Sequence, residues 1–300
     1  MDSVQRRREL IATGVAEHEV RQRLRRRELL PVRRGSYLLA ADGPPSRPED
    51  RHLLAVHAAL PELAPDAVVS HVSAALLFGL PVWGVDLSRV HVTRSRRSGA
   101  RRGRVTQVHA AQLDPDEVVD LGGRRVTVPV RTIVDMARSL PFAPAVAVAD
   151  AALHRHLVTP ADLAVALARA QRRRGAPAAA RVADFADGRS MSVGESRSRI
   201  ALRNAGIPAP VLQWGVVSRD GMVLGEVDFG WPGLRTVGEF DGRAKYGRLL
   251  RSGQDPGDAV FAEKVREDAI RDEDLRMVRW IWRELDYFAP VAERLRHAFA

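Results

Sequence analysis

Three carboxylates fall where strands are expected. In "GEVDFGWPGLRTVGEFDGRAK", residues 225–245, Val227, Phe229, Val237 and Phe240 are strand formers, and Trp231-Pro232-Gly233 supplies a turn. Asp228 sits inside the first strand, Glu239 inside the second, and Asp241 two residues further on. Acids are poor strand residues and costly to bury unpaired. Glu239 and Asp241, two apart, point to one side of a strand, and Asp228 lies within reach across the turn. Packed together, the three would repel without a cation. A hard divalent ion, Mg2+ or Mn2+, takes oxygen ligands of this kind and activates a water for phosphodiester hydrolysis. The residues therefore predict a metal site of Asp228, Glu239 and Asp241. Lys245, four residues after Asp241, would polarise the water or stabilise developing charge. Asp241-Gly242 is also a plain turn signal.

The elements that must position these groups follow from pattern. "SVGESRSRIALRNAGI" predicts a helix with Ser192 as N-cap and Gly206 as its stop. It carries Glu195, which has two readings. It can close a capping box with Ser192 and pair with Arg199 at i+4, or it can reach the acidic cluster and orient water or a second ion. "VLQWGVVS" and "VLGEVDFGW" are strands joined by a turn at Arg219, Asp220 and Gly221, and "LRTVGEFDG" is a third. A helix begins near Asp258. "RMVRWIWREL" predicts a strand with Val278, Trp280 and Trp282 on one side, the tryptophans as core, and "FAPVAERLRHAFA" a final helix.

With these elements in place, "EVDFGWPGLRTVGEFDGRAKY" resembles the core of the PD-(D/E)XK nuclease fold, closest to the branch related to very-short-patch-repair endonucleases, where a "DF" strand precedes "E-x-D-G". The resemblance covers roughly residues 190–290. It implies a core-helix glutamate, matched by Glu195 in "GESRSR", and a later basic helix, matched by Lys264, Arg266 and Arg271. The sequence departs from the family at one position. The usual lysine two residues after the glutamate is replaced by Asp241, and Lys245 is the candidate substitute.

At the other end, "RRRELIATGVAEHEVRQRLRRRELL" predicts two helices broken at Gly14, and "LLPVRRGSYLLA" a hairpin around Arg33, Arg34 and Gly35. Helix, turn, helix and basic hairpin outline a winged helix-turn-helix. Its second helix would offer His18, Arg21, Gln22, Arg25 and Arg26 to phosphates and base edges. A solvated basic face is the plainer reading. The stretch resembles the N-terminal domain of AbiEi-type antitoxins of abortive-infection systems, which implies promoter binding. "VVSHVSAALLFGLP" and "VPVRTIVDMAR" resemble segments of actinobacterial relatives with the same tripartite layout.

Between the ends, "ADGPPSRPED" and "RRRGAPAAARVADFADGRS" read as boundaries. "SHVSAALLFGL" predicts a buried helix. "RVHVTRS" and "GRVTQVHAA" predict strands flanking a basic loop, which is either a nucleic-acid contact or a mobile segment. Thr132/Asp135 and Thr159/Asp162 have capping-box spacing. His71, His91, His109, His154 and His156 show no metal-ligand spacing with a clear partner and are expected to be structural or solvated.

Composition bounds the whole. The chain carries 47 Lys+Arg against 37 Asp+Glu, net +10, and nearly all the cations are arginine, which prefers bidentate contact with phosphate. A polyanion is thus the expected partner. With no cysteine, disulfides, thiolate zinc sites and cysteine nucleophiles are excluded. "MDSVQRRREL" lacks the apolar core of a signal peptide and no run is long enough to span a membrane, so a cytoplasmic protein is expected. The expected architecture is α/β: a winged helix-turn-helix over 1–45, a middle α/β domain over 49–175, and a nuclease-like mixed sheet flanked by helices over 190–300. The expected function is DNA binding coupled to Mg2+- or Mn2+-dependent hydrolysis of DNA phosphodiesters. The alternative is a non-catalytic, antitoxin-like regulator with an inactive nuclease fold, acting with or without a toxin partner.

Overall fold

The computed structural model describes residues 4–242, 265–266 and 268–300. The protein is mixed α/β with mixed sheets. It divides into two compact units: residues 1–148 with 157–184, and 149–156 with 185–300. The expected segments 1–45 and 49–175 both fall within the first unit, apart from residues 149–156.

The first unit opens with β1 (Val4–Arg6), α1 (Arg7–Ala12), α2 (Glu17–Arg25), β2 (Leu29–Arg33) and β3 (Ser36–Leu39). Helix, helix and hairpin appear in the expected order. An unanticipated first strand adds to the hairpin, giving the sheet order β1-β3-β2. Leu10, Val20, Leu29 and Tyr37 are buried together, with Val15, Leu24 and Leu39 packed around them. Leu10 of α1 and Val20 and Leu24 of α2 thus face this core, and most of the charged residues of both helices are left outside.

The remainder of this unit contains α3 (Pro48–Ala59), β4 (Ala67–Val69), α4 (His71–Leu77), β5 (Val90–Arg94), β6 (Arg101–Arg102), β7 (Thr106–Ala110), β8 (Val118–Asp120), β9 (Arg125–Thr127), α5 (Pro129–Ser139), α6 (Phe142–His154), α7 (Pro160–Ala170) and α8 (Ala176–Phe185). The last residues of α6 and of α8 are assigned to the second unit. The sheet order is β6-β7-β5-β4-β9-β8, with β5/β7 and β4/β9 parallel and the other neighbours antiparallel. Val56, Ala59, Val69, Ala74, Val90, Val92 and Val126 form its core.

One expected cap is absent. α5 starts at Pro129, so Thr132 lies a turn inside the helix. Proline took the first helical position because its missing N–H is not needed there. The Thr132 hydroxyl meets that of Thr127 at 2.7 Å, and Asp135 accepts from Arg131 and Arg138. The other capping box forms as expected, with Thr159 and Asp162 bonded reciprocally at the start of α7.

The second unit is built from α9 (Val193–Asn204), β10 (Val211–Val217), β11 (Val223–Trp231), β12 (Thr236–Asp241), β13 (Arg276–Ile281) and α10 (Ala289–Phe299). Residues 265–266 and 268–272 are helical; the expected start of that helix near Asp258 lies outside the described residues. The sheet order is β10-β11-β12-β13, antiparallel except for the parallel pair β12/β13. Leu202, Phe229, Trp231, Phe240, Trp280 and Leu295 belong to one buried cluster, in which Phe229 and Trp280 stack at 5.2 Å. Trp282 departs from the expected alternation. β13 ends at Ile281, and Trp282 enters a 3-10 turn with 37% of its surface exposed, while Trp280 is fully buried.

Candidate functional site

β11 and β12 are the two central strands of the second sheet, and they carry the acids. Asp228 and Glu239 are each only 8% exposed, and Asp241 is half-buried at the end of β12. The paired register runs from Trp231↔Thr236 to Phe229↔Gly238. Beyond it, the Asp228 Oδ2 accepts the Phe240 N–H at 2.8 Å, so a side chain takes over as acceptor at the end of the ladder. That bond satisfies a buried backbone donor and fixes the Asp228 carboxylate beside β12.

Glu239 is bracketed by cations. Its Oε1 accepts from Arg266 Nη2 at 2.6 Å, and its Oε2 from Arg279 Nε at 3.0 Å and Nη2 at 2.8 Å. Parallel pairing of β12 with β13 sets Arg279 directly beside Glu239. The sequence reading gave Arg266 only as part of a basic helix and did not single out Arg279. The Arg279 contact needs the parallel register and the Arg266 contact needs tertiary packing, neither of which local pattern carries.

Glu195 is 3% exposed and its carboxylate is held by hydrogen bonds. It accepts from the Met191 N–H at 2.9 Å, the Ser192 hydroxyl at 2.8 Å and the Gln213 amide at 2.8 Å, while the Ser192 Oγ accepts the Glu195 N–H at 3.2 Å. Ser192 therefore caps the helix as expected, and Glu195 reaches back to the Met191 N–H and the Ser192 hydroxyl rather than to the Ser192 N–H of a full capping box. The expected pair with Arg199 is not formed, because Arg199 turns to Asp150 at 2.8 Å. Gln213 is a second residue that local pattern missed. It lies within β10 at φ +49°, in the left-handed region, which costs a non-glycine residue about 1–3 kcal/mol. Strain of that kind is held in place by surrounding contacts, and here the amide reaches Glu195.

α9 is anchored from beneath. Asp150 accepts from the Asp187 N–H, the Ser196 hydroxyl and Arg199, at 2.7, 2.7 and 2.8 Å. Burial still pushes the Asp150 carboxyl above its ordinary range, against the pull of Arg199. The Trp280 indole N–H donates to Ser198 on the same helix at 2.8 Å.

On the N-terminal surface, His18, Arg21, Gln22, Arg25 and Arg26 are all exposed. Arg21 is shared with Glu17 at 3.3 Å. On the hairpin, Arg34 is exposed, whereas Arg33 is largely covered and paired with Glu62. Arg271 is exposed on the helical residues 268–272. Lys245 and Lys264 lie outside the described residues. In the basic loop, Arg94 pairs with Asp66 at 2.7 Å, and Arg101 and Arg102 are exposed on the edge strand β6.

Among the described residues, three ligand-type donors come within 4.8 Å of one another in one place, and it is not the acidic cluster. They belong to His71, His91 and His109, for which the sequence reading expected no metal-ligand role. Burial holds all three histidines below their ordinary range: His71 well below it, and His91 down to about 4. The three histidines lie on or beside strands that are far apart in sequence, and local pattern says nothing about their convergence.

Comparison with known proteins gives relatives without an assigned role. No family model matches the chain. Two uncharacterized proteins of Mycobacterium tuberculosis, MT2308 from strain CDC 1551 and Rv2248 from strain H37Rv, are each 30% identical over 171 residues. The match takes in 57% of this chain and 63% of each relative, under two thirds of their length. No helix among the described residues is long and apolar enough to cross a membrane.

Proposed function

We propose that this protein binds duplex DNA through its N-terminal helix pair and hairpin, acting as a winged helix, and that its second unit is a PD-(D/E)XK-like site for metal-dependent hydrolysis of a DNA phosphodiester. The observation that carries this reading is the placement of Asp228 and Glu239, two nearly buried carboxylates, on neighbouring central strands of a mixed sheet. The donor set is all oxygen, which fits Mg2+ or Mn2+ rather than a softer ion. Asp228 and Glu239 would hold the ion, with Asp241 as a further ligand. Such an ion supplies Lewis-acid polarisation and a water of lowered pKa. Glu195, fixed by three donors, would orient water. Arg266 and Arg279 supply guanidinium groups suited to the oxygens of a bound phosphate. The exposed cations of α2 would deliver the site to DNA.

A second reading has its own support. Both oxygens of Glu239 are already met by guanidinium groups, so no cation is needed to balance its charge. This favours a non-catalytic DNA-binding regulator in which a nuclease-like sheet has become a scaffold.

One assay separates them. Plasmid and linear duplex are incubated with the protein in Mg2+, Mn2+ or EDTA. The enzyme reading expects metal-dependent cleavage that falls by about a hundredfold or more in Asp228→Ala and Glu239→Ala, the order of effect seen when one group stabilising transition-state charge is removed. Tight DNA binding without cutting in any metal would sink it and leave the regulator.

A further inference from the structure

We propose that His71, His91 and His109 form a second metal site, separate from the acidic cluster, for a divalent ion of the zinc class. The site would tie α4 to the parallel strand pair β5/β7.

Register brings the three together. β5 and β7 run parallel with His91 opposite Gln107 and Thr93 opposite His109. Paired residues share a face and the side-chain period is two, so His91 and His109 stand on the same face, one step apart. His71 arrives from the adjacent connection, as the first residue of α4 directly after β4, at φ +52°. A left-handed backbone at a non-glycine residue is strained and persists where surrounding contacts hold it.

The donor geometry fits. His109 Nε2 lies 3.1 Å from His91 Nδ1, and ligand atoms of all three rings lie within 4.8 Å of one another. Zinc–imidazole bonds of about 2.0–2.1 Å in a tetrahedron place ligand nitrogens about 3.3 Å apart. The rings of His71 and His109 now stack at 3.6 Å with 12° between their planes. Binding therefore requires the His71 ring to tilt out of that stack, a side-chain motion that leaves the strands in place. Three imidazoles with no carboxylate among them select zinc-like ions over Mg2+, and they leave a fourth position for water or a ligand.

The surroundings supply what ligating histidines need. The Thr93 hydroxyl donates to Ser70 Oγ at 2.8 Å, and Ser70 Oγ lies 3.0 Å from His71 Nδ1. This hydrogen-bonded pair of hydroxyls holds the His71 ring through Nδ1, so Nε2 is the nitrogen left for an ion, and an outer hydrogen bond of this kind fixes the tautomer of a metal-bound imidazole. The nearby guanidinium groups of Arg131 and Arg138 disfavour positive charge at His71, and their pairing with Glu117 and Asp135 limits that opposition.

The test uses the full chain, purified through EDTA and titrated with Co2+ as a spectroscopic stand-in for Zn2+. The site predicts one equivalent of Co2+ with intense tetrahedral visible bands, displaced by Zn2+. His91→Gln and His109→Gln should abolish the bands. Ser70→Ala, which leaves all three ligands in place, should weaken Zn2+ affinity by about tenfold. Asp228→Ala and Glu239→Ala should leave the tetrahedral bands unchanged, which separates this site from the acidic one. Failure of the wild-type protein to bind a stoichiometric ion overturns the proposal. So does a weak octahedral spectrum, or tetrahedral bands that survive in a folded His91→Gln variant. If the histidine variants unfold, the wild-type spectrum and Ser70→Ala decide.

Discussion

At Glu239, two arginines have turned an acid that pattern marks as a metal ligand into the centre of an ion triplet. Both guanidinium groups retain some solvent access, so the triplet contributes modestly to stability compared with a fully buried pair. Its weight lies in what it presents: cations already positioned beside two carboxylates. His52 by itself couples stability to pH. It is buried, with Nδ1 2.8 Å from the Leu87 carbonyl oxygen and Nε2 2.8 Å from Ser73 Oγ. Burial lowers its pKa below the ordinary value, opposed by the hydrogen bond to the Leu87 carbonyl and by the Asp86 charge. A histidine whose folded pKa is lowered takes up its proton first in the unfolded chain. The stability it contributes is complete above about pH 6.5 and is lost as pH falls from there towards the folded pKa. In metal-free protein the urea midpoint should therefore be lower at pH 5.5 than at pH 7.5, and the difference should shrink in His52→Gln. An equal difference in that variant would show that His52 is not the group responsible.

Among the elements, α9 shows how a glycine can be required inside a helix. Elsewhere an exposed mid-helix glycine would gain up to about 1 kcal/mol on replacement by alanine. At Gly194, however, a Cβ would sit 1.9 Å from Phe240 Cε1. Overpacking of a buried contact costs about 1–3 kcal/mol, which exceeds the propensity gain. Gly194→Ala should thus lower stability by about 1–2 kcal/mol in urea unfolding, and a stabilised variant would mean that α9 does not sit on β12 as described. Much of this helix was legible beforehand. The Ser192 N-cap and the Gly206 stop are local signals, and both appear where expected. The Glu195–Arg199 pair was not, because Arg199 found Asp150 far away in sequence. Thr132 and Asp135 failed as a cap for a similar reason: Pro129 claimed the helix start, and the buried Arg131 drew the carboxylate away.

For the molecule as a whole, the net charge of +10 and the exposed arginines of α2 set a measurable expectation. If α2 contacts phosphates, the logarithm of DNA affinity should fall linearly with the logarithm of salt concentration. Arg25→Ala should weaken binding similarly across sequences and reduce the slope by about one, read by fluorescence anisotropy over a salt series. A slope unchanged in that variant would place DNA elsewhere. By itself the sequence determined what depends on near neighbours: alternation in the strands, caps three residues apart, a basic helix face, and acids at strand positions in β11 and β12. These are set by backbone periodicity and short hydrogen bonds, and a reader of residues can recover them. The tertiary structure alone decided which distant groups meet. Parallel pairing put Arg279 against Glu239, a left-handed Gln213 reached Glu195, and three histidines from α4, β5 and β7 converged. Those meetings depend on strand order and register, and register is settled by burying the whole sheet face at once, a cooperative choice that no short window of sequence contains.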